Sequence, residues 1–147
     1  MKPSTRAAQR ADLDAVLAIE KSWSTTAGWN RAQFEAELAN PNSRFVVAEE
    51  EGRLAGYAVF WSVPPEAQIL DIAVGPDSAR RGLGRFLLDV ILAQARRLGL
   101  KKATLEVRAD NEPGLALYRA AGFQIVGRRP RFYPNGTDAV LMDLLLS

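Results

Sequence analysis

Apolar positions recur along this chain in two rhythms, one of two residues and one of three to four, and the rhythms alternate. Thr5 to Ala8 predicts a first strand. Leu13, Val16, Leu17 and Ile19 predict a helix capped by Asp12, and Phe34 with Leu38 predicts a second between Asn30 and Asn40-Pro41. Arg44 to Glu50 and Leu54 to Val63 flank Glu51-Gly52-Arg53 and read as a hairpin, which Pro64-Pro65 closes. A strand around Gln68 to Val74 follows. Its segment Ile69-Leu70-Asp71-Ile72-Ala73-Val74 is almost continuously apolar, the pattern of a strand covered on both faces. Leu83, Phe86, Leu87, Val90, Ile91, Ala95 and Leu98 then predict a long helix stopped by Gly99, with a strand from Lys102 to Val107 behind it. A strand–helix–strand crossover implies that those two strands are parallel. Asn111-Glu112-Pro113 opens a short helix that ends at Ala121-Gly122, and Phe123 to Arg131 and Thr137 to Leu146 are the last strands, joined through Pro134-Asn135-Gly136. The sum is an α/β sandwich with a mixed, largely antiparallel central sheet of about seven strands flanked by about four helices. No repeat, linker or low-complexity segment interrupts it, so residues 1–147 are expected to form a single domain.

Composition removes several chemistries. The chain has no cysteine and no histidine, which excludes disulfides, Cys/His zinc sites, thiol nucleophiles and Ser-His machinery. No metal is expected, and acid–base work falls to Asp, Glu, Lys, Tyr, a terminus or water. There is no apolar run of bilayer length, and Met1-Lys2-Pro3-Ser4 is not followed by the core of a secretion signal, so a cytoplasmic protein with no membrane partner is expected. The net charge of +2 is too small to imply a nucleic-acid partner. Its distribution is uneven: residues 1–66 carry 7 basic and 9 acidic side chains, residues 67–147 carry 12 and 8. The basic half suits a small polyanion, although a solvated basic face is the more ordinary meaning of such an imbalance.

That half contains Ala79-Arg80-Arg81-Gly82-Leu83-Gly84-Arg85, placed after the apolar strand and at the mouth of the long helix. The stretch can present backbone N–H groups, a helix's positive end and three guanidinium groups to one anion, with the glycines clearing side chains from its path. A mononucleotide P-loop would need Lys and then Ser or Thr after the last glycine, where Arg85 and Phe86 stand. A dinucleotide fingerprint would need glycine or alanine at Leu87 and a tighter turn, though Glu106 lies near the position of its ribose-binding acid. The third loop of this kind is Gln/Arg-x-x-Gly-x-Gly/Ala. Gly82 and Gly84 match it, with Ala79 in place of Gln or Arg, and the segment resembles the acetyl-CoA loop of the GNAT N-acetyltransferases.

The resemblance sharpens downstream. Glu106-Val107-Arg108-Ala109-Asp110-Asn111, Ala116-Leu117-Tyr118, Gly122-Phe123 and Tyr133-Pro134 occur in order and with compatible spacing. Together they are similar to the bacterial ribosomal-protein alanine N-acetyltransferases, which acetylate the amino-terminal alanine of a small-subunit ribosomal protein. The likeness is strong from about Ile69 to Met142 and mainly one of pattern before residue 66. It implies acetyl-CoA as co-substrate, a ribosomal protein N-terminal peptide as partner, Glu106 as proton acceptor and Tyr118 as proton donor. It further implies that the backbone of Ile72, Ala73 and Val74 pairs with pantetheine at a splayed sheet edge, that Arg80, Arg81, Gly82, Leu83, Gly84 and Arg85 hold the diphosphate, and that Asn111 anchors the coenzyme arm. The acceptor would enter near Trp29 and Tyr133, where Gly28 replaces the proline common before that tryptophan.

Each residue also has a plainer reading. Glu106 is equally a surface strand residue paired with Arg108, Tyr118 a core tyrosine, Asn111 a helix cap, and Trp29 and Tyr133 amphipathic rim residues. Asp71, a carboxyl inside an apolar strand, is either a group that holds or deprotonates the incoming amine or a buried hydrogen-bonded one. Two other functions remain open on the sequence: acetylation of a small-molecule amine, and a non-catalytic CoA- or nucleotide-binding module.

Overall fold

The computed structural model describes residues 2–24, 26, 28–79 and 81–147. One seven-stranded sheet runs through it in the order β1-β2-β3-β4-β5-β7-β6. The strands are β1 (Ser4–Ala7), β2 (Ser43–Glu50), β3 (Arg53–Val63), β4 (Glu66–Val74), β5 (Lys102–Arg108), β6 (Gln124–Arg129) and β7 (Ala139–Leu145). The helices are α1 (Leu13–Lys21), α2 (Arg31–Ala39), α3 (Leu83–Arg97) and α4 (Glu112–Ala120). Every pairing is antiparallel except β4 with β5, which is parallel across the α3 crossover as expected.

The two faces of the sheet carry separate cores. On one, Leu83, Leu87, Leu88, Ile91, Leu92 and Ala95 of α3 pack with Ala58, Phe60, Ile69, Leu105 and Met142. Each buried leucine or isoleucine there is worth about 1.5–3 kcal/mol relative to exposure. On the other, Leu13, Val16 and Leu17 of α1 and Phe34 of α2 pack with Phe45, Val47, Tyr57 and Val59. Asn30 caps α2 as its sequence suggests, accepting from the Gln33 amide at 2.9 Å. Asp12 does otherwise. Its carboxylate accepts from the Gln9 amide at 2.7 Å and from Arg6 at 2.8 Å, closing a short 3-10 turn at residues 10–12 rather than capping α1, because the arginine of β1 lies within reach. Pro64-Pro65 is also more than a terminator, since it turns β3 directly into antiparallel β4.

Two features of β4 make the cleft. Its pairing with β3 slips between Val59↔Asp71 and Phe60↔Ile69, so Leu70 is an extra residue. A one-residue bulge exchanges faces for everything beyond it. Ala67 and Ile69 therefore pack with the α3 core, whereas Ala73 packs with the α1–α2 core and Ile72 and Val74 take over the α3 side. The second feature is where pairing with β5 stops. It runs only from Glu66↔Lys102 to Ile69↔Leu105, while β4 goes on along β3 to Val74↔Gly56 and β5 along β7 to Arg108↔Ala139. The middle of the sheet thus opens into a V. Gly56 allows β3 and β4 to stay together above that point, since a Cβ there would lie 3.0 Å from both the Ala73 carbonyl and Leu87.

Candidate active site

A cleft of about 1350 Å³ follows the V from the β5 edge to the N-terminus of α3. Of the residues singled out by sequence, Trp29, Asp71, Ile72, Val74, Gly82, Gly84, Arg85, Glu106, Asn111, Tyr118 and Tyr133 line it. Three of the remainder do not present side chains to it. Ala73 and Leu83 are buried in the two cores, which leaves only their backbone for a ligand. Arg81 points to the far side of the loop, donating to the Asp77 carbonyl at 3.4 Å and lying 3.9 Å from Glu50. Arg80 lies outside the described residues.

At one end of the cleft, Gly82 caps α3 at φ +83, a left-handed conformation that glycine adopts without strain. Among the described residues no atom comes within 4 Å of a Cβ built there, so the space before the helix is open. The amides of Leu83, Gly84 and Arg85 follow and lack partners within the helix, as first-turn amides do. Open space among the described residues, N–H groups without intrahelical partners and a 15-residue helix's positive end together fit a diphosphate. Arg85 adds a guanidinium, braced on Asp89 at 3.0 Å. Further along β4, the Val74 carbonyl accepts from the Trp23 indole at 2.7 Å, so one of the three strand residues nominated for pantetheine is already engaged.

The other wall is β5 and α4. Glu106 is the first β5 residue past the last one paired to β4, and it is partly exposed. Its partner is Arg129 of β6, with Nε 3.1 Å from Oε1, and not Arg108. Arg108 instead makes a bidentate pair with Asp110, 3.0 Å for each bond, and stacks its guanidinium 4.9 Å from the centroid of Tyr133. This pairing holds the Asp110 carboxyl below the usual carboxylate range. Asn111 is the cap of α4, accepting from the Gly114 amide at 3.0 Å while it lines the cleft. Any side chain at 114 would meet Asn111 Nδ2 at 2.6 Å. Tyr118 sits on the buried face of α4, edge-on to Phe123, with ring centroids 5.7 Å apart. Burial, above all, pushes its phenol above the ordinary range, so it keeps its proton. Tyr133 is also shifted up, by burial and then by the charge of Glu106.

Behind the cleft lies a group of buried polar residues. The bulge turns Asp71 toward Tyr57, whose hydroxyl lies 2.9 Å from Oδ2 and also contacts the Glu20 carboxylate. Glu20 accepts in turn from the Trp29 amide at 2.8 Å. Of the two roles the sequence leaves open for Asp71, these contacts favour the hydrogen-bonded one. Glu20, Tyr57 and Arg129 did not emerge from the sequence. A signal for Glu20 is nevertheless there, because it continues the 13, 16, 17, 20 stripe that α1 buries.

A parted parallel strand pair with a helix N-terminus at one limb and a carboxylate and a phenol at the other is an arrangement that fits acyl transfer. The profile of the acetyltransferase (GNAT) family matches residues 13–123, and the chain belongs to that family. Its sequence is similar to the N-alpha-acetyltransferase RimI of Mycobacterium tuberculosis, at 43% identity over 145 residues, 94% of this chain and 87% of that one. It is also similar to the ribosomal protein bS18-alanine N-acetyltransferase of Escherichia coli strain K12, at 32% identity over 142 residues and 95% of each chain. The fold matches the crystal structure of the ribosomal-protein-S18-alanine N-acetyltransferase from Escherichia coli with a TM-score of 0.88 at 30% identity, covering 99% of this chain and 95% of that one. Among the described residues no helix is long and apolar enough to cross a membrane.

Proposed function

We propose that residues 1–147 act as one N-acetyltransferase domain that moves the acetyl group of acetyl-CoA onto the α-amino group of a protein N-terminus, with the N-terminal alanine of a small-subunit ribosomal protein as its acceptor and the cytoplasm as its place of work. The observation that carries this is the parting of β4 from β5 immediately beside Glu106, in a cleft continuous with the α3 N-terminus. At about 1350 Å³ that cleft exceeds the roughly 300–1,000 Å³ of an ordinary small-ligand pocket, as two substrates require. The names of the bacterial relatives supply the acceptor.

In this reading the amides of Leu83, Gly84 and Arg85 and the Arg85 side chain hold the diphosphate, and the backbone of Ile72 to Val74 and the Asn111 side chain guide the arm. Acetyl-CoA supplies an activated acyl carbon with a thiolate leaving group. An α-ammonium with a pKa near roughly 8 loses its proton more easily than a lysine near roughly 10. Glu106 takes that proton directly or through water, the N–C bond forms as the C–S bond breaks, Tyr118 O–H gives its proton to the sulfur, and the second proton lost from the nitrogen restores the phenol through water while Glu106 releases its own to solvent. The high phenol pKa keeps that donor loaded. Trp29 and Tyr133 flank the acceptor's path.

A peptide panel varied at its first residue, with acetylation read by mass and thiol release, tests the proposal. Acetylation of alanine-first peptides is expected. Consumption of small amines with every peptide untouched would move the acceptor class, and bound acetyl-CoA without thiol release would leave a binding module.

A further inference from the structure

Glu20, Tyr57 and Asp71 form a buried chain that the proposed chemistry does not use. Glu20 is 2% exposed, Tyr57 0% and Asp71 8%. The Tyr57 hydroxyl lies within hydrogen-bond distance of both Glu20 Oε1 and Asp71 Oδ2. A phenol carries one hydrogen and donates one bond, and two ionised carboxylates are acceptors only. Both contacts are bonds only if a second hydrogen sits on a carboxyl. Each carboxyl also receives one backbone amide, Glu20 that of Trp29 at 2.8 Å on Oε2 and Asp71 that of Ile72. Burial, followed by the Glu20 charge, outweighs those bonds at Asp71 and raises its carboxyl pKa. The hydrogen therefore belongs to Asp71, which donates to Tyr57 Oη while Tyr57 donates to Glu20.

The chain has a destination. Its far end is the backbone of Trp29, in the segment between α1 and α2. Glu20 holds that segment twice, since its own carbonyl also accepts from Thr26 Oγ1 at 2.9 Å. Its near end is the first β4 residue after the bulge, opposite Val59 in the register. We infer that Glu20 is a positioning residue for the acceptor: through one hydrogen shared along Asp71, Tyr57 and Glu20, it pins the segment bearing Trp29 to the bulged strand of the cleft. The inference rests on the acceptor role given to Trp29 above. Asp71 serves it as a neutral donor, with no part as a base.

Amides distinguish this from a role for negative charge. Asn at 71 supplies the N–H that the acid supplies in the native chain. Gln at 20 accepts from Trp29 through its oxygen and donates to Tyr57 through its nitrogen, which reverses the chain and leaves Asp71 ionised. Ala at 20 does neither. The test measures acceptor KM, kcat, acetyl-CoA Kd and the infrared carbonyl band of a protonated carboxyl, assigned with isotope-labelled aspartate. Native protein at neutral pH is expected to show that band, and both Asp71→Asn and Glu20→Gln to lose it while holding acceptor KM within about threefold. Glu20→Ala is expected to raise acceptor KM tenfold or more, with kcat within threefold and acetyl-CoA Kd within twofold. Absence of the band in native protein, or Glu20→Gln matching Glu20→Ala in KM, overturns the inference. If Glu20→Ala does not fold, the infrared comparison and the two amide variants decide alone. If native protein acetylates no peptide, the acceptor reading fails separately. The band and the Trp29 fluorescence of a Trp23→Phe/Trp61→Phe background, compared between Glu20→Gln and Glu20→Ala, still test the pinned segment: unchanged emission in both overturns it.

Discussion

Substitution at Gly82 separates the cost of a backbone conformation from the cost of a blocked ligand. Gly82 has φ +83, and among the described residues nothing lies within 4 Å of a Cβ placed on it. In the free protein the penalty that these surroundings give a side chain is left-handed strain, about 1–2 kcal/mol for most L-residues and least for Asn or Asp. For a chain of 147 residues, 1 kcal/mol shifts Tm by roughly 2–4 °C. Gly82→Ala should therefore melt about 2–8 °C lower and Gly82→Asn only slightly lower. If the space before α3 holds a diphosphate, Gly82→Asn should still weaken acetyl-CoA at least tenfold, about 1.4 kcal/mol. Gly99 is an internal control. It has φ +79, equally open surroundings among the described residues, and a place past the other end of α3, a helix about 22 Å long. Gly99→Asn should reproduce the small Tm change and leave affinity intact. Calorimetric titration and thermal melts give both numbers. Undiminished affinity in Gly82→Asn, or an equal loss in Gly99→Asn, refutes the anion cradle.

Other perturbations address the remaining parts. Glu106→Gln is nearly isosteric and breaks a solvent-exposed pair with Arg129, worth at most about 1 kcal/mol, so the fold and acetyl-CoA affinity should persist while turnover falls about a hundredfold or more; turnover within threefold of native would take Glu106 out of the mechanism. Because the Tyr118 phenol is shifted upward, loss of its proton should not limit kcat up to about pH 10, whereas Tyr118→Phe should lower kcat on the order of a hundredfold across the whole range, and a native alkaline limb absent from the variant would contradict that. Arg6, above all, holds the Asp12 carboxyl below its usual range; a depressed pKa contributes stability above the unfolded value of about 4 and loses it as pH falls through the folded one. Asp12→Asn should cost about 1 kcal/mol at pH 7, with the difference from native narrowing in acid melts, and a pH-independent difference would show that the charge is irrelevant.

Most elements were legible because their period is local. In α3, Leu83, Leu87, Ile91 and Ala95 are buried as the sequence puts them, Leu88 and Leu92 join them, and Leu98 lies exposed past the helix end; the Asn30 and Asn111 caps fall where expected, and the parallel pairing of β4 with β5 follows from the crossover alone. The bulge at Leu70 was not legible. A run apolar on both sides reads identically with or without a slip, so the face that Asp71 takes stays undetermined until the partner strand is known. Partners distant in sequence were hidden for the same reason. Tyr57 meets Glu20 from 37 residues away, and Arg129 reaches Glu106 across β7, where sequence proximity had suggested Arg108. The direction of Arg81 depends on Glu50 at the tip of the β2–β3 hairpin. Asp12 shows the local rule itself overridden, as a nearby arginine outbids the helix end for its carboxylate.

The most direct measurement is a crystal structure with acetyl-CoA bound. The diphosphate is expected within hydrogen-bond distance of the Leu83, Gly84 and Arg85 amides, with the thioester in the gap where β4 and β5 part beside Glu106. Density for the coenzyme elsewhere on the protein, or a thioester remote from both Glu106 and Tyr118, would contradict the account.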